Sequence, residues 1–364
     1  MPYINFPMPE YPCREDMWDK LKAETRPIMV YGMGNGADKL FSRFEKYGIA
    51  PKEIFASDGF VRGHSFRGMK VKSFSEIKQE YRDFVIVVSF ASSRPEVLDI
   101  FGSIDKEYDV YFPDMPVAGE EYFDREFYNN NYKEMLSSLD ALFDEESKAC
   151  FRAVISYKLT GKLKYLMSAY SERNGCYGLL DKNTVGEIVD VGAYNGDTLR
   201  EALSAFPELR YAICIEPDPR NFKKLKAYAE TLTDIDVKAV NAAAWCENGE
   251  GAFSSSGNRN STITATVSHQ HKDVTLKRVR VDFLSSCADL VKYDVEGAER
   301  EALAGTSSLI EAKRPTLLVS LYHRSADIFE LTNYIRRKYP FYRLYLRRTL
   351  CVPAWEIDLI AVSN

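Results

Sequence analysis

The chain has 364 residues, of which 45% are hydrophobic and 28% are charged, and its formal net charge is −5. This length favours two domains, and the composition is that of a globular protein with a sizeable apolar core. The acidic charge balance argues against a general nucleic-acid-binding protein, which would normally carry an excess of basic residues.

The distribution of cysteines and apolar residues predicts a cytoplasmic protein without a membrane span. The seven cysteines lie far apart and form no C-x-x-C pair, a pattern typical of reduced thiols in a cytoplasm. No apolar run approaches the roughly 18 to 20 residues that a transmembrane helix needs. The first residues are acidic and interrupted by prolines, unlike a secretory signal.

The first third of the chain is predicted to form a small Rossmann-like α/β domain. A strand and a glycine turn at 27–36 lead into a helix that reaches about Tyr47. Further strands are predicted at 53–58, 83–90 and 109–113. The second of these three is apolar and β-branched, as expected of a buried parallel strand.

The glycine turn of this domain has the spacing of a dinucleotide-binding motif. Gly32, Gly34 and Ala37 match G-x-G-x-x-A, and Asp58 closes the second strand. Asp38, in the first turns of the following helix, disfavours an anion at this position. The sequence leaves open whether this domain binds a nucleotide or is an empty fold that mediates assembly, for example of a homo-oligomer.

A helical stretch separates this domain from a second α/β region. From Leu136 to Ser171 apolar residues recur at three- and four-residue spacings without a proline. We therefore divide the chain into a Rossmann-like domain at 1–125, a helical connector at 126–184 and a second α/β domain at 185–364.

Seven strands are predicted in the second domain. They lie at 186–192, 211–218, 237–245, 288–297, 316–322, 341–347 and 357–362. Helical stretches between the early strands predict a mainly parallel sheet. The last two strands are joined by a loop too short for a crossover helix, so they should pair antiparallel.

The turn after the first of these strands differs from the dinucleotide motif. Its pattern is D-x-G-x-x-x-G-D-T at 190–198. Thr198 and Glu201 fit a T-x-x-E capping box, which would satisfy the helix N-terminus with its own side chains. Together with the Asp197 carboxylate, this cap would disfavour a pyrophosphate and favour a ligand end that carries an ammonium group. S-adenosylmethionine has such an end, and a turn without any ligand is the alternative.

Residues after the next two strands could complete a binding site for a nucleoside. Glu216 follows the second strand and could accept hydrogen bonds from both ribose hydroxyls of either cofactor class. Asn241 to Ala243 follow the third strand and would lie near the base. The small residues there leave room for a flat ring, although close strand packing would explain them equally well.

Four segments of this half, EIVDVGAYNGDTL, CIEPDP, NAAAW and LVKYDVEGAEREALAG, occur in the order and spacing of a known family. They resemble the FkbM family of S-adenosylmethionine-dependent methyltransferases. The resemblance covers roughly the second half of the chain and implies a class I methyltransferase fold with a seven-stranded sheet. It also implies O-methylation of a hydroxyl, often on a sugar or a polyketide. The predicted cofactor-binding residues are Asp190, Gly192, Ala193, Tyr194, Gly196, Asp197, Thr198, Glu216, Asn241 and Ala242.

The residues predicted for chemistry lie at the ends of the fourth and fifth strands. Lys292, Asp294 and Glu296 end the fourth strand, and the two acids would point the same way in an extended segment. His323 ends the fifth strand. Methylation of an alcohol needs a group that takes its proton, so Asp294 or His323 is the predicted general base. Lys292 could orient the acceptor. The structural alternatives are that Glu296 and Glu299 charge a helix start, which we prefer for Glu299, and that His323 is a polar strand cap.

A loop of the second domain has weaker signals. The stretch GNRNST at 257–262 is predicted to face the acceptor, with Arg259 able to reach an acidic group. His269 and His271 form H-x-H, but no carboxylate or cysteine lies at ligand spacing, so no metal site is predicted.

The sequence thus predicts an O-methyltransferase that uses S-adenosylmethionine and acts on a sugar, glycan or related small molecule. One alternative is a nicotinamide-dependent oxidoreductase that uses the N-terminal glycines, but no Tyr-x-x-x-Lys or comparable hydride-transfer set is recognisable. A second alternative is a non-catalytic binding or scaffold protein with a degenerate methyltransferase domain. The intact Asp190, Glu216 and Asp294 argue against degeneration.

Overall fold

The computed structural model describes residues 4–61, 63–172, 176–254 and 273–363. In these ranges the chain forms two α/β units with three helices between them. None of the helices so described combines the length and apolar character that crossing a membrane requires.

The N-terminal unit is a Rossmann-like sheet, as predicted. Its strands in the described ranges are β1 (Ile28–Tyr31), β2 (Glu53–Ala56), β3 (Ser65–Phe66), β4 (Met69–Ser73), β5 (Val85–Val88) and β6 (Asp109–Tyr111). They lie in the order β3-β4-β2-β1-β5-β6, and every pair is parallel except the β3–β4 hairpin. The helices of this unit are α1 (Met17–Ala23), α2 (Asn35–Tyr47), α3 (Phe74–Glu80) and α4 (Pro95–Glu107).

The predicted connector is helical. It forms α5 (Arg125–Ala141), α6 (Glu145–Thr160) and α7 (Leu163–Met167). The first of these helices starts where Asp124 caps it by accepting the backbone N–H of Phe127. Asp144 caps the second helix in the same way through the N–H of Ser147.

The C-terminal unit carries the seven-stranded sheet that the sequence predicts. Within the described residues its strands are β7 (Glu187–Val191), β8 (Tyr211–Ile215), β9 (Asp236–Val240), β13 (Leu290–Tyr293), β14 (Thr316–Ser320), β15 (Tyr342–Arg348) and β16 (Ile357–Ser363). Between β9 and β13 the chain forms a separate small sheet from β10 (Ala243–Ala244), β11 (Gly249–Ser254) and β12 (Asp273–Val279). The helices are α8 (Asp197–Ala205), α9 (Pro219–Ala229), α10 (Val281–Leu284), α11 (Glu299–Ala304), α12 (Ser307–Lys313) and α13 (Asp327–Lys338).

The order of the large sheet is β15-β16-β14-β13-β7-β8-β9. The strands from β14 to β9 are parallel, and β16 runs antiparallel to both β14 and β15. The predicted antiparallel pairing of the last two strands is therefore confirmed. It has a consequence for the site, because the first residues of β16 lie at the same edge as the last residues of the parallel strands.

One predicted strand and one strand end are corrected by the structure. The strand expected at 237–245 is split, since the chain leaves the large sheet after β9 and its next two-residue strand pairs with β12. The strand expected to reach residue 297 ends at Tyr293. The chain turns there because Glu296 and Gly297 have φ angles of 54° and 97°.

The two α/β units and the connector share a core. One cluster of buried apolar side chains includes Met29 of β1, Phe151 of α6 and Leu344 of β15. The backbone of Ser92 also exchanges two hydrogen bonds with Val352, at 2.7 and 3.0 Å. The N-terminal unit is thus packed against the C-terminal sheet, and the boundaries at 125 and 184 stay a prediction about chain organisation.

Candidate active site

A cavity of about 260 Å³ opens at the carboxyl ends of the parallel strands of the large sheet. Open α/β sheets bind their ligands at this edge. One part of the wall comes from the turns after β7 and β8 and from β10, where Glu216 and Ala243 lie. The other part comes from the ends of β13 and β14, the start of β16 and Ser93 of the N-terminal unit.

The turn after β7 is left-handed at three positions. Gly192, Tyr194 and Gly196 have φ angles of 90°, 47° and 84°. A side chain at Gly192 would place its Cβ 1.9 Å from the carbonyl oxygen of Asp294, so only glycine fits there. Left-handed backbone is unfavourable for tyrosine and is held in place by the Tyr194 N–H, which donates to Glu216 Oε2 at 2.8 Å.

The predicted capping box at the start of α8 is wrong. The left-handed Gly196 occupies the N-cap position, so the helix begins at Asp197 and Thr198 is already inside it. The carboxylate of Asp197 instead accepts the N–H of Thr198 at 2.9 Å. Both side chains line the cavity, and the helix start therefore still presents a negative charge to a ligand.

Glu216 is held rigidly beside this turn. Its Oε2 accepts the N–H of Tyr194 and its Oε1 accepts the N–H of Asp218, both at 2.8 Å. The side chain is 6% exposed, and burial raises its pKa to about 8. Each oxygen of the carboxylate keeps a second lone pair, so Glu216 can accept two further hydrogen bonds from a ligand.

The predicted base-binding residues lie partly behind the wall. Among the described residues, the cavity is lined by Ala243 and Ala244 but not by Asn241 or Ala242. The amide of Asn241 donates to the carbonyl oxygen of Glu216 at 2.8 Å. Asn241 thus positions the loop that carries Glu216.

Asp190 lies behind the cavity wall. It is 1% exposed, and neither carboxylate oxygen has a hydrogen-bond partner among the described residues. Burial raises its pKa to about 7, and the Nζ atom of Lys292 is 4.0 Å away. A buried carboxylate without hydrogen bonds is unusual and indicates a cationic or hydrogen-bonding group that completes the site. Lys292 is such a cationic group, so Asp190 would act on the cavity through that side chain.

Lys292 and Asp294, which the sequence singles out for chemistry, both line the cavity on the side opposite the glycine turn. Lys292 Nζ lies 3.3 Å from Asp294 Oδ2, while the hydroxyl of Tyr322 donates to Asp294 Oδ1 at 3.2 Å. Nε2 of His323 is 3.3 Å from the same Oδ1. Burial alone would raise the pKa of Asp294, but Lys292 and His323 hold it well below its usual range.

The surroundings of His323 favour its protonated form. This side chain is 0% exposed, and its Nδ1 lies 2.8 Å from Glu299 Oε1. Burial alone would lower the pKa of His323, but the Glu299 and Asp294 carboxylates raise it well above its usual value. A histidine that is protonated at neutral pH has no lone pair for a second proton, so these surroundings do not favour its predicted role as general base.

Glu296 and Glu299 have different positions. Glu299 is the first residue of α11, and its carboxylate accepts the N–H groups of Val295 and Gly297 at 3.0 and 3.4 Å. The extended geometry expected for Asp294 and Glu296 is wrong, because Glu296 is left-handed. Glu296 nevertheless lines the cavity, with Oε2 3.6 Å from His323 Nε2.

Several residues that line the cavity were not identified from the sequence. Ser93 comes from the N-terminal unit, and Thr349, Glu356 and Asp358 come from the end of the chain. A sequence signal existed for Asp358, since the start of an antiparallel last strand must meet the carboxyl ends of its parallel neighbours. Ser93 carries no such signal, because its place depends on how the two units pack.

Two glycines of the N-terminal turn, Gly32 and Gly36, are explained by packing, whereas Gly34 has open space around it. A Cβ at Gly36 would lie 2.0 Å from the carbonyl oxygen of Ser89, and one at Gly32 would lie 2.6 Å from the Phe90 ring. The small cavity of about 220 Å³ at this turn is also lined by Val352, Pro353 and Trp355 of the C-terminal unit. The crevice that the dinucleotide motif indicated thus faces a segment of the same chain.

The loop at 257–262, Arg259, His269 and His271 lie outside the described residues. In the ranges that the structure covers, no group of three or more His, Cys, Asp or Glu side chains is arranged to hold a metal ion.

Comparisons with known proteins agree with the sequence resemblance. Residues 190–347 match the family model of the methyltransferase FkbM domain. A search of curated proteins finds no match. The crystal structure of methyltransferase FkbM from Methylobacillus flagellatus KT is similar, with a TM-score of 0.68 and 19% identity over 93% of this chain and 90% of that chain. Aeropyrum pernix fibrillarin in complex with S-adenosyl-L-methionine is more distant, with a TM-score of 0.32 and 13% identity over 50% of this chain and 69% of that chain.

The matched residues 190–347 include the glycine turn, Glu216 and the Lys292–Asp294 pair, that is, most of the cavity wall described above. The predicted class I methyltransferase fold is confirmed by the strand order and by the similarity to the Methylobacillus structure over nearly the whole chain. The resemblance to the FkbM family of S-adenosylmethionine-dependent methyltransferases, which four sequence segments predicted, is therefore confirmed by the match of residues 190–347 to the methyltransferase FkbM domain.

Proposed function

We propose that this protein transfers the methyl group of S-adenosylmethionine to a hydroxyl of a sugar, glycan or related small molecule. This proposal rests on one observation: the same cavity is lined by Glu216, whose carboxylate could bind a ribose, and by Lys292 and Asp294. The cofactor, when bound, supplies a methyl carbon on a sulfonium whose departure needs no acid. The protein has to hold the two reactants in line and to manage the proton of the acceptor.

The cofactor end of the cavity follows from the residues of the glycine turn and its neighbours. Glu216 would bind the ribose hydroxyls, and Ala243 and Ala244 would leave space for the flat base. Asp197 would attract the ammonium group at the negatively charged start of α8. Asp190 would act from behind the wall through Lys292, whose Nζ lies between the carboxylates of Asp190 and Asp294 at 4.0 and 3.3 Å.

The acceptor end has the polarity that a polyhydroxylated molecule requires. Hydroxyl groups of Ser93, Ser320 and Thr349 line it beside the carboxylates of Asp294 and Asp358. Asp294 stays ionised at every physiological pH because its pKa is so low, so it is a permanent hydrogen-bond acceptor for an acceptor hydroxyl. Carboxylates and hydroxyls together can bind several neighbouring hydroxyls of a sugar.

The N-terminal unit is proposed to complete the acceptor site and to perform no redox step. Ser93 reaches the cavity directly, and the backbone pairing of Ser92 with Val352 anchors the segment that carries Thr349 and Glu356. A homo-oligomer and a cytoplasmic location remain proposals; the seven free cysteines support the location.

The test is a methyl-transfer assay with isotopically labelled S-adenosylmethionine and a panel of free hexoses, methyl glycosides and nucleotide sugars. We expect one class of sugar to gain one methyl group with release of S-adenosylhomocysteine. Asp294→Asn should reduce turnover on that sugar by about 10- to 150-fold, because the acceptor hydroxyl loses a hydrogen bond to a charged group worth about 1.5–3 kcal/mol, while cofactor affinity changes little. The surface variant Glu208→Gln is the control. Consumption of NADH by the intact protein would instead favour an oxidoreductase.

A further inference from the structure

The two residues predicted as general base are both poorly suited to accept a proton. Asp294 is surrounded by donors, with Lys292 Nζ and His323 Nε2 each at 3.3 Å and the Tyr322 hydroxyl at 3.2 Å. Burial alone would lower the pKa of the fully buried His323, but the Glu299 and Asp294 carboxylates raise it well above its usual value and so favour the protonated form. If the acceptor is a hydroxyl, its proton has to go to another group that faces the same cavity.

Asp358 lines the same cavity, but it lies at the start of a strand that runs antiparallel to its neighbour β14. It is the second residue of β16 and lies directly across from Ser320, the last residue of β14. Among the described residues, its side chain accepts two long hydrogen bonds, from the Ser320 hydroxyl at 3.4 Å and the Cys176 thiol at 3.9 Å. Its carboxylate therefore keeps the capacity to bind a donor that enters the cavity.

We propose that Asp358 is the catalytic base that takes the proton of the acceptor hydroxyl. The inference rests on the proposed function, in which the acceptor is an alcohol. In the step, the acceptor oxygen forms a bond to the methyl carbon, and the bond from that carbon to sulfur breaks with its electron pair on sulfur. The hydroxyl proton passes to the Asp358 carboxylate. The products are a methyl ether, S-adenosylhomocysteine and protonated Asp358, which returns its proton to solvent.

The charged groups around Asp358 set the pKa of its carboxyl group. Glu356 lies just before the strand of Asp358, Lys292 and Asp294 lie at and just after the end of β13, and Ser320 ends β14. On the other side, Arg347 of β15 is its register partner. The Arg347 guanidinium is engaged elsewhere, in ion pairs with Asp144 at 2.7 Å and Glu146 at 3.1 Å.

Burial, reinforced by Glu356 and Asp294 and opposed by Lys292, raises the pKa of Asp358 to about 7. A general base works best when its pKa lies near the operating pH. Asp358 meets this condition, whereas the pKa of Asp294 is too low and that of His323 is too high.

The first test measures the protonation of Asp358 without any acceptor. Infrared difference spectra of the full-length protein between pH 5 and pH 9 record carboxyl groups that ionise in this range. We expect Asp358→Asn to lose the signal of one carboxyl that titrates near pH 7, and the exposed control Asp236→Asn to keep it. Asp294→Asn should move this titration to lower pH, because a neighbouring negative charge is removed. Identical spectra for wild type and Asp358→Asn would overturn the proposal.

The second test uses the sugar that the wild type methylates in the panel. Asp358→Asn should lower kcat by about 10²-fold or more, while the Kd for S-adenosylhomocysteine stays within about twofold. Wild-type kcat should fall as the pH drops below about 7, and Asp358→Glu should keep partial activity with a displaced pH profile. A turnover of Asp358→Asn above one tenth of wild type would overturn the proposal. If the wild type binds the cofactor but methylates nothing in the panel, the acceptor class of the proposed function fails, and the infrared titration alone decides for or against Asp358.

Discussion

Removal of the Glu216 carboxylate is the sharpest perturbation of the cofactor site. Both oxygens accept a backbone N–H at 2.8 Å and keep one lone pair each for a ribose hydroxyl. Above its pKa of about 8 Glu216 is ionised, and at such a pH hydrogen bonds to this charged group contribute about 1.5–3 kcal/mol, of which water replaces part in the variant. For Glu216→Ala we therefore expect a net loss of about 1.5–3 kcal/mol, which weakens S-adenosylhomocysteine binding about 10- to 150-fold.

Isothermal titration calorimetry with S-adenosylhomocysteine measures this loss, and Glu208→Ala, at the surface of the same unit, is the control. Glu216→Ala also leaves the N–H groups of Tyr194 and Asp218 without their acceptor, which could destabilise the turn. Thermal unfolding of both variants therefore shows whether weaker binding comes from the lost ribose contacts or from a destabilised protein. NAD should bind much more weakly than S-adenosylhomocysteine to the wild type. Equal affinity of wild type and Glu216→Ala would remove Glu216 from the ribose site and refute the reasoning.

Three further predictions concern packing, pH and the unit interface. Gly192→Ala should lower the free energy of unfolding, measured by urea titration, by about 2–5 kcal/mol, because the new Cβ would lie 1.9 Å from the Asp294 carbonyl oxygen and the φ of residue 192 is 90°. Gly34→Ala is the control; its Cβ has open space, so the free energy of unfolding should change by less than about 1 kcal/mol. In the cofactor-free protein, the pKa values of Asp190 and Glu216 are raised to about 7 and 8, so the folded state binds more protons than the unfolded state. The free energy of unfolding should therefore fall as the pH rises from 5 to 8, by at most about 4 kcal/mol for each group. A rise in the urea midpoint over that range would contradict these pKa values. Ser93→Tyr should raise the acceptor KM severalfold and leave the cofactor Kd unchanged, with the exposed Ser42→Tyr as its control; equal kinetics of the two variants would exclude a role of Ser93 in the acceptor site.

Local patterns were sufficient to predict the large sheet and the edge of it at which Glu216 and Asp294 lie, but not the small sheet of β10, β11 and β12. Apolar runs marked the strands, and parallel strands bring their carboxyl ends together, so Glu216 and Asp294 could be placed at one edge from their positions alone. The capping box failed because the left-handed Gly196 places the N-cap two residues before Thr198, and a side-chain pattern does not report that backbone angle. The roles of His323 and Asp294 could not be read from residue type, since each depends on charges from other strands.

The acceptor side depends on long-range packing. Asp358 lies 64 residues after Asp294 in the chain, and it reaches the same cavity because β16 runs against its neighbour β14. Ser93 reaches the cavity because the N-terminal unit is packed on the segment around Val352. Neither contact leaves a periodic signal in the sequence, and only the antiparallel direction of the last strand could have pointed to Asp358.

The position of a bound cofactor tests the central claim most directly. A crystal structure of the full-length protein with S-adenosylhomocysteine should show the ribose hydroxyls within hydrogen-bond distance of Glu216. The sulfur atom should face the end of the cavity where Lys292, Asp294 and Asp358 lie. A ligand bound instead at the N-terminal glycine turn, or with its ribose away from Glu216, would contradict the proposed methyltransferase site.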